Sequence, residues 1–485
     1  MSTSELNFQP GKQKIMKKVF LITPPTGLWV REDRCQSPIE KTMFAVIRPP
    51  LRLGLAAAIL EEASYQCRIS DYPAENVGWE QLEKDFKQFD PDVLYISTVL
   101  KTRDDDFQAC RIAKKHNQSI LTIMKGAPLN DDEGAMEKCN DLDIFMTREI
   151  DRSLITIVSK ENLRQITGIS FRENGTIVKT PKADFVNELD SLPFIARHLL
   201  KKELYLRPDS MEPFTVIQAS SGCPFECIFC SAIQGAGRVL RKRSPKNIVN
   251  EIEECVKKFG ILNFFMGAET FTCDKKWVLE ICDRIIKKNL KINWYCNSRA
   301  DTIDKEMALN MKKSGCYAVS LGVESGNQET LDKMKKGISL VQAEEAVQIF
   351  KDHKIKTYLY YIIGFPWETK DMINDTINFA IKLDGSISDF YFAHPLYGTE
   401  LHKMAKESDM LIHDKELLFE YRVKSPHLSP GELNNLYRTA LRRFYLRPKY
   451  LIKTLLSIRS PRVAFRIAAM GFLTLFKLLK SKPHI

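Results

Sequence analysis

Short apolar runs alternate with amphipathic helical stretches twice along this chain, once before residue 165 and again between residues 201 and 400. This recurrence dictates two parallel sheets. Parallel neighbours cannot be joined by a tight hairpin and need a crossover helix, so a strand–helix series implies a sheet covered by helices. In the first series the runs are Lys18 to Ile22, Cys67 to Ser70, Val93 to Ser97, Ile120 to Met124 and Asp143 to Met146. Helical patterns lie between them, the clearest at Leu53 to Glu62 with Leu53, Ala56, Ala57 and Leu60 on one face. The expected fold of residues 1–165 is a Rossmann-like, doubly wound parallel sheet. Such sheets bind ligands beyond the carboxyl ends of their strands, here the turns Thr23-Pro24-Pro25, Ser97-Thr98 and Lys125-Gly126-Ala127. None of these turns carries GxGxxG or a Walker loop, which disfavours a dinucleotide or nucleoside triphosphate.

Residues 166–200 read as a connector. It contains a hairpin, because Asn174-Gly175 is a tight-turn dipeptide between β-prone runs. The second series then supplies strands at Phe214 to Ala219, Asn263 to Gly267, Ile292 to Asn297, Tyr317 to Gly322, Thr357 to Gly364 and Asp389 to Ala393. Ser244-Pro245 opens one of its helices, with Ile248, Ile252, Val256 and Phe259 on one face and Gly260 as the stop. Six such units suit a partial (βα)6 barrel with its chemistry at the carboxyl ends of the strands.

The first barrel strand runs into Gly222-Cys223-Pro224-Phe225-Glu226-Cys227-Ile228-Phe229-Cys230. Three thiols on one short loop can be directed at one inorganic centre, and thiolates are the ligands of iron–sulfur clusters. A zinc site would require a fourth ligand close by, and the nearest histidine, His198, lies across a strand. The other nine of the twelve cysteines lack ligand spacing and read as small core residues. A chain of 485 residues with extended apolar segments has no need of disulfide staples. Its first apolar run, four residues ending in Thr-Pro-Pro, is a strand and not a secretory h-region.

The CxxxCxxC loop, with an aromatic before its last cysteine, resembles the cluster loop of radical S-adenosylmethionine enzymes. The resemblance implies that Cys223, Cys227 and Cys230 bind a [4Fe-4S] cluster whose open iron takes S-adenosylmethionine, and that an electron donor such as ferredoxin or flavodoxin reduces it. Gly267-Ala268-Glu269 is similar to the family's Gly-Gly-Glu at the second strand, which lines the methionine amino group, with Ala268 departing from the pattern. Asn297-Ser298-Arg299, Gly322-Val323-Glu324-Ser325 and Ile363-Gly364-Phe365-Pro366-Trp367-Glu368-Thr369 also match strand ends of similar enzymes. Gly267, Glu269, Ser298, Arg299 and Glu324 are the expected cosubstrate residues. For each acid or arginine taken alone, a barrel-rim salt bridge is the competing reading.

Pro49-Pro50-Leu51-Arg52-Leu53-Gly54-Leu55-Ala56 and Thr147-Arg148-Glu149-Ile150 are similar to the cobalamin-binding domain found ahead of many such barrels, and Asn187 to Pro193 looks like its hinge. Cobalamin is therefore an implied cofactor, with Thr23, Pro24, Ser97, Gly126 and Glu149 as its expected contacts. No Asp-x-His-x-x-Gly occurs, and His116 is the one histidine before residue 190, so a histidine on cobalt is not expected. The implied activity is reductive cleavage of S-adenosylmethionine to modify an unactivated carbon, by methylation or by ring or carbon–carbon bond formation. Competing readings are action on a tetrapyrrole, a natural product or RNA in the manner of methylthiotransferases, or a non-catalytic cobalamin or lipid carrier. A methylthiotransferase would carry three first-domain cysteines at cluster spacing, whereas Cys35, Cys67, Cys110 and Cys139 are scattered.

Charge is concentrated at the end. Residues 438–485 hold twelve Lys/Arg and no acid, while the rest of the chain is close to neutral, which disfavours a nucleic-acid-coating protein. Residues 401–485 are expected to be a helical basic region. Its mixture of Arg442, Arg443, Arg447 and Lys453 with Phe444, Tyr445, Leu451 and Phe472 fits helices in an anionic membrane interface, and through it a lipid or isoprenoid-like substrate. A cap packed on the barrel, or a basic nucleic-acid patch, is the alternative. The longest uncharged apolar stretch, Ile467 to Phe476, is ten residues against the ~20 needed to span a bilayer. The expected location is cytoplasmic, peripheral on the inner face of the membrane.

Overall fold

The computed structural model describes residues 17–29, 46–126, 134–207, 209–412 and 423–457. Strands β1 (Lys18–Thr23), β2 (Gln66–Asp71), β3 (Val93–Ser97), β4 (Leu121–Lys125) and β5 (Ile144–Met146) form a parallel sheet in the order β2-β1-β3-β4-β5. Both faces are buried. Val19, Leu21, Tyr95 and Ile123 pack with the helix Leu51–Glu62, whereas Phe20, Ile22, Leu94 and Ile96 pack with the helices Trp79–Phe89 and Arg103–His116. Successive strand residues thus enter different cores, which explains why the runs are apolar throughout and do not alternate.

The hairpin lies elsewhere than in a connector. Strands β6 (Ile169–Glu173) and β7 (Thr176–Lys179) pair antiparallel, and β6 pairs antiparallel with β5, so the hairpin extends the first sheet to seven strands. Asn174 and Gly175 have φ of 50° and 82°, as the tight turn requires. Sequence alone identifies the turn but not the edge it joins.

A second sheet follows in strict chain order: β8 (Phe214–Gln218), β9 (Asn263–Gly267), β10 (Asn293–Ser298), β11 (Cys316–Glu324), β12 (Lys356–Ile363) and β13 (Ile387–Phe392), all parallel. The helices Pro245–Phe259, Lys275–Lys287, Lys305–Lys313, Leu340–Asp352 and Lys370–Leu383 alternate with these strands and share one core with their outer faces. Each of the five begins at a side-chain cap, from Ser244, Asp274, Asp304, Ser339 and Thr369. Gly260, at φ 64°, ends the first of them. Near the amino ends of the strands Arg207 stacks on Tyr317 at 4.0 Å and binds Asn263 at 2.6 Å, plugging that mouth.

Six strands leave the barrel open, and β13 has one free edge. The helix Pro430–Tyr445 covers it: Leu433, Leu436, Leu441 and Phe444 are buried, and the Tyr445 hydroxyl donates to the Ser388 carbonyl at 2.9 Å and accepts from its N–H at 3.2 Å. After it, Arg447 and Lys449 pair with Asp384 at 3.0 and 3.3 Å. To Tyr450, then, the basic tail is a packed cap, with charges partly matched by the barrel, whereas Leu451, Ile452 and Leu456 beyond it are exposed. The expectation of interfacial helices beyond residue 457 lies outside the described residues. No helix among the described residues is long and apolar enough to cross a membrane.

Candidate active site between the two sheets

The cysteine loop leaves β8 through Gly222, whose φ is 96° and whose α-carbon lies so near Val239 that an added Cβ would stand 2.0 Å from the Val239 carbonyl oxygen. No other residue fits there without moving the backbone. The loop is then tied down by Cys223 N–H to the Gly237 carbonyl (3.0 Å), Ile228 N–H to Met334 (3.1 Å) and Cys230 N–H to Cys227 (3.1 Å). Cys223, Cys227 and Cys230 are all half-buried and none is in a disulfide. Among the described residues, no three His, Cys, Asp or Glu side chains converge as they would around a single metal ion.

Arg299 carries the positive charge nearest these thiols. Its Nη1 donates to Cys227 Sγ at 3.7 Å and its guanidinium lies 3.6 Å from the centre of the Phe225 ring. Asp301 holds it from behind at 2.9 and 3.0 Å, and the Lys336 carbonyl accepts at 2.6 Å. Lys336 in turn forms a buried ion pair with Glu324 at 2.6 Å. Burial pushes the Cys223 thiol up, a cost that iron ligation would remove, since a coordinating thiol is deprotonated outright.

A cavity of about 340 Å³ lies between the first sheet and Ser221, Ala232, Gly235 and Ala236, which flank this loop. Thr23, Ser97 and Lys125 line it from the carboxyl ends of β1, β3 and β4; Gly267, Ala268 and Glu269 line it from β9; Leu28, Trp29 and Ile47 supply apolar wall. Glu149 lines it as well, but its carboxylate accepts from Arg241 at 2.8 and 3.0 Å, from the Val186 N–H at 2.7 Å and from Ser221 at 3.4 Å. Pro24 and Gly126 share the turns of Thr23 and Lys125 without being part of the lining. Ser298 is set back, its hydroxyl 2.6 Å from that of Thr272. Glu324 and Arg299 are engaged as above.

Behind the cavity Glu251 receives Arg197 at 2.7 Å and Arg243 at 2.5 Å. Burial raises its carboxyl, yet the two arginines hold it below the usual range. This triad fixes the connector to the first barrel helix. Sequence reading passed over Arg241, Lys336 and Asp389 as functional residues and named Lys125 only as part of its ligand-binding turn. The basic run Arg238 to Arg243 beside the cluster loop was the available signal for Arg241. His116 stands apart from the cavity, at the last turn of the helix Arg103–His116, which runs back to the amino end of the sheet, and it pairs with Asp90 at 3.0 Å.

The radical SAM superfamily matches residues 217–380. A curated protein of Pyrococcus horikoshii, "Uncharacterized methyltransferase PH0819", is 32% identical over 448 residues, covering 91% of this chain and 95% of that protein. Among solved structures, the cobalamin-dependent S-adenosylmethionine radical enzyme OxsB with aqua-cobalamin and S-adenosylmethionine bound shares the fold. It gives a TM-score of 0.72 at 17% identity over 96% of this chain and 74% of that one. The radical S-adenosylmethionine methyltransferase TsrM of Kitasatospora setae, with cobalamin and a [4Fe-4S] cluster bound, gives 0.67 at 14% identity over 90% of both chains.

Proposed function

Because the chain belongs to the radical S-adenosylmethionine enzymes that carry a cobalamin-binding-type domain ahead of the barrel, we propose that it modifies an unactivated carbon by methylation or by ring or carbon–carbon bond formation. One observation carries this reading: a single cavity is lined on one side by Ser221 and Ala232, which flank the cysteine loop, and on the other by the carboxyl ends of the first sheet. A cluster held by Cys223, Cys227 and Cys230 would supply the electron that cleaves S-adenosylmethionine reductively, chemistry beyond the reach of acid–base side chains. Arg299 places a fixed positive charge beside the thiolates and Gly222 sets the turn that aims them. Gly267 leaves the mouth of β9 open, since a Cβ there would meet Gln218 and Val216 at 3.0 and 3.1 Å. Thr23, Ser97 and Lys125 would hold cobalamin against the strand ends, with Trp29 and Ile47 excluding water.

For the substrate we favour a lipid or isoprenoid-like molecule presented at an anionic membrane. The last described helix, Pro448–Ser457, exposes Leu451, Ile452 and Leu456 beside Lys449 and Lys453, and an acid-free basic sequence follows it. Apolar and basic groups so mixed suit an interface of anionic headgroups. Anaerobic incubation with S-adenosylmethionine and dithionite tests the central reading. 5′-Deoxyadenosine should form with the reconstituted protein and not with Cys223→Ala/Cys227→Ala/Cys230→Ala, which should also bind no cluster iron. Iron retained by the triple variant would overturn the ligand assignment.

A further inference from the structure

The last barrel strand places a carboxyl in the lumen that no residue engages. Asp389 is in register with Tyr360 on the neighbouring strand, while Ser388 and Phe390, on either side of it, are buried toward the helical layer. Two other acids of the barrel are ion-paired, Asp209 with Arg207 at 2.7 Å and Glu324 with Lys336 at 2.6 Å. Among the described residues nothing hydrogen-bonds or ion-pairs with Asp389, and burial alone pushes its carboxyl up to about 7. Its surroundings are aromatic. The Tyr360 ring lies 6.0 Å from that of Tyr391, which is 44% exposed, and Tyr295 stacks on Phe265 at 4.7 Å farther round the wall. The Tyr360 hydroxyl is 3.5 Å from Ser320 Oγ, and Tyr437 approaches from the covering helix to bring its ring within 5.1 Å of Phe392.

Asp389 is half-buried, so its carboxyl is open to a partner from outside the chain, and sites walled by aromatic rings use few polar groups to orient a largely apolar guest. We propose that Asp389 is the substrate's polar anchor, receiving a hydroxyl or N–H group carried on an apolar, ring-bearing body that lies against Tyr360 and Tyr391. A phosphate or carboxylate at that position would be repelled. This rests on the barrel lumen being the reaction chamber, and it narrows the substrate to one with a hydrogen-bond donor on a ring system.

The probes are 2-naphthol and 2-methylnaphthalene, equal in shape and different in one donor, titrated against the anaerobically reconstituted protein by ligand-observed NMR. 2-Naphthol should bind the parent about tenfold more tightly than its methyl counterpart, and Asp389→Leu should abolish the difference. Asp389→Asn, nearly isosteric, should reduce it by about threefold and covers the case in which the Leu variant fails to fold. Equal affinities for the parent, no binding of 2-naphthol, or a preference unmoved by both substitutions would overturn the proposal. 5′-Deoxyadenosine formation is scored separately on the same samples: its absence from the parent would refute the radical-enzyme reading, whereas the naphthol comparison reports on Asp389 alone.

Discussion

Glu149, just beyond the fifth strand of the first sheet, accepts both terminal nitrogens of Arg241, at 2.8 and 3.0 Å, and Arg241 in turn reaches the Ser221 hydroxyl at 2.9 Å and the Ala236 carbonyl at 2.7 Å. One guanidinium therefore joins the first sheet to both flanks of the cysteine loop. This strut ties the cysteine loop to the first sheet.

Replacing Arg241 with Met leaves Glu149 without its partner at a site where the arginine is nearly buried and the carboxylate one-fifth exposed. The expected loss is about 2 kcal/mol, less than the full cost of orphaning a buried charge because water reaches the carboxylate. Thermal unfolding of the iron-free protein should show a lower midpoint. Cluster assembly on the variant should give an altered electron paramagnetic resonance line shape, whereas a midpoint equal to the parent's would show that the strut contributes nothing.

Corrinoid retention should not depend on histidine. His116 sits at the amino end of the first sheet, paired with Asp90, on the side away from the cavity. His116→Ala should retain hydroxocobalamin with an unchanged visible spectrum and change stability by no more than ~0.5 kcal/mol, the usual effect of a surface substitution. A shifted cobalt absorption in the variant would contradict the placement of the cofactor at the strand ends.

Glu368 gives a pH signature. Its carboxyl is fully buried, accepts the Gly364 and Phe365 N–H groups at 2.6 and 2.9 Å, and is pushed by burial from 4.5 up to about 7. Between those values the unfolded chain ionises while the folded one keeps its proton. Stability is therefore highest below pH 4.5 from this group and falls as pH rises toward 7, by on the order of 3 kcal/mol. Glu368→Gln should flatten the fall between pH 5 and 7 in thermal midpoints of the iron-free protein. Equal slopes for parent and variant would rule the group out. Asp389, raised to a similar value, should leave a residual slope in the variant.

The basic end of the chain is tested by shortening it, and the cap decides where. Truncation before Arg438 would remove Leu441, Phe444 and Tyr445 from the barrel and expose its last strand. Truncation after Ser457 keeps these and removes six Lys/Arg. At ~1 kcal/mol for each basic group near an anionic surface, the shortened protein should no longer float with phosphatidylserine-containing vesicles at low salt, while the parent should float at low salt and be released at high salt. Binding unchanged by the truncation would leave the membrane proposal without its basis.

Much of this architecture is legible in the residues. Val19 to Ile22 and Leu94 to Ile96 read as strands because both faces of a parallel sheet are buried, and the cysteine loop reads as a cluster site because its ligands lie within eight residues. What escapes is whatever depends on partners distant in sequence. Glu149 and Arg241 are 92 residues apart, and although each stands in a segment the sequence marks, nothing in the sequence pairs one with the other. Asp389 resembles any acid at the solvent face of an alternating strand until the barrel curls its face inward. The tail's aromatic–basic mixture is equally compatible with a membrane and with a cap, and only the docking of Tyr445 and Tyr450 onto the last barrel strand and its approach distinguishes them as far as residue 450.

That docking has a consequence for how the protein is made. The free edge of the sixth barrel strand is a row of unpaired backbone groups, a template for pairing with another chain. Tyr445, which covers it, follows Ser388 by 57 residues. At translation rates of about 5–20 residues per second, roughly 3 to 11 s pass between synthesis of the edge and synthesis of its cover. During that interval a nascent barrel presents this edge to its neighbours on the same message, so crowded translation is a condition under which this fold is exposed to aggregation.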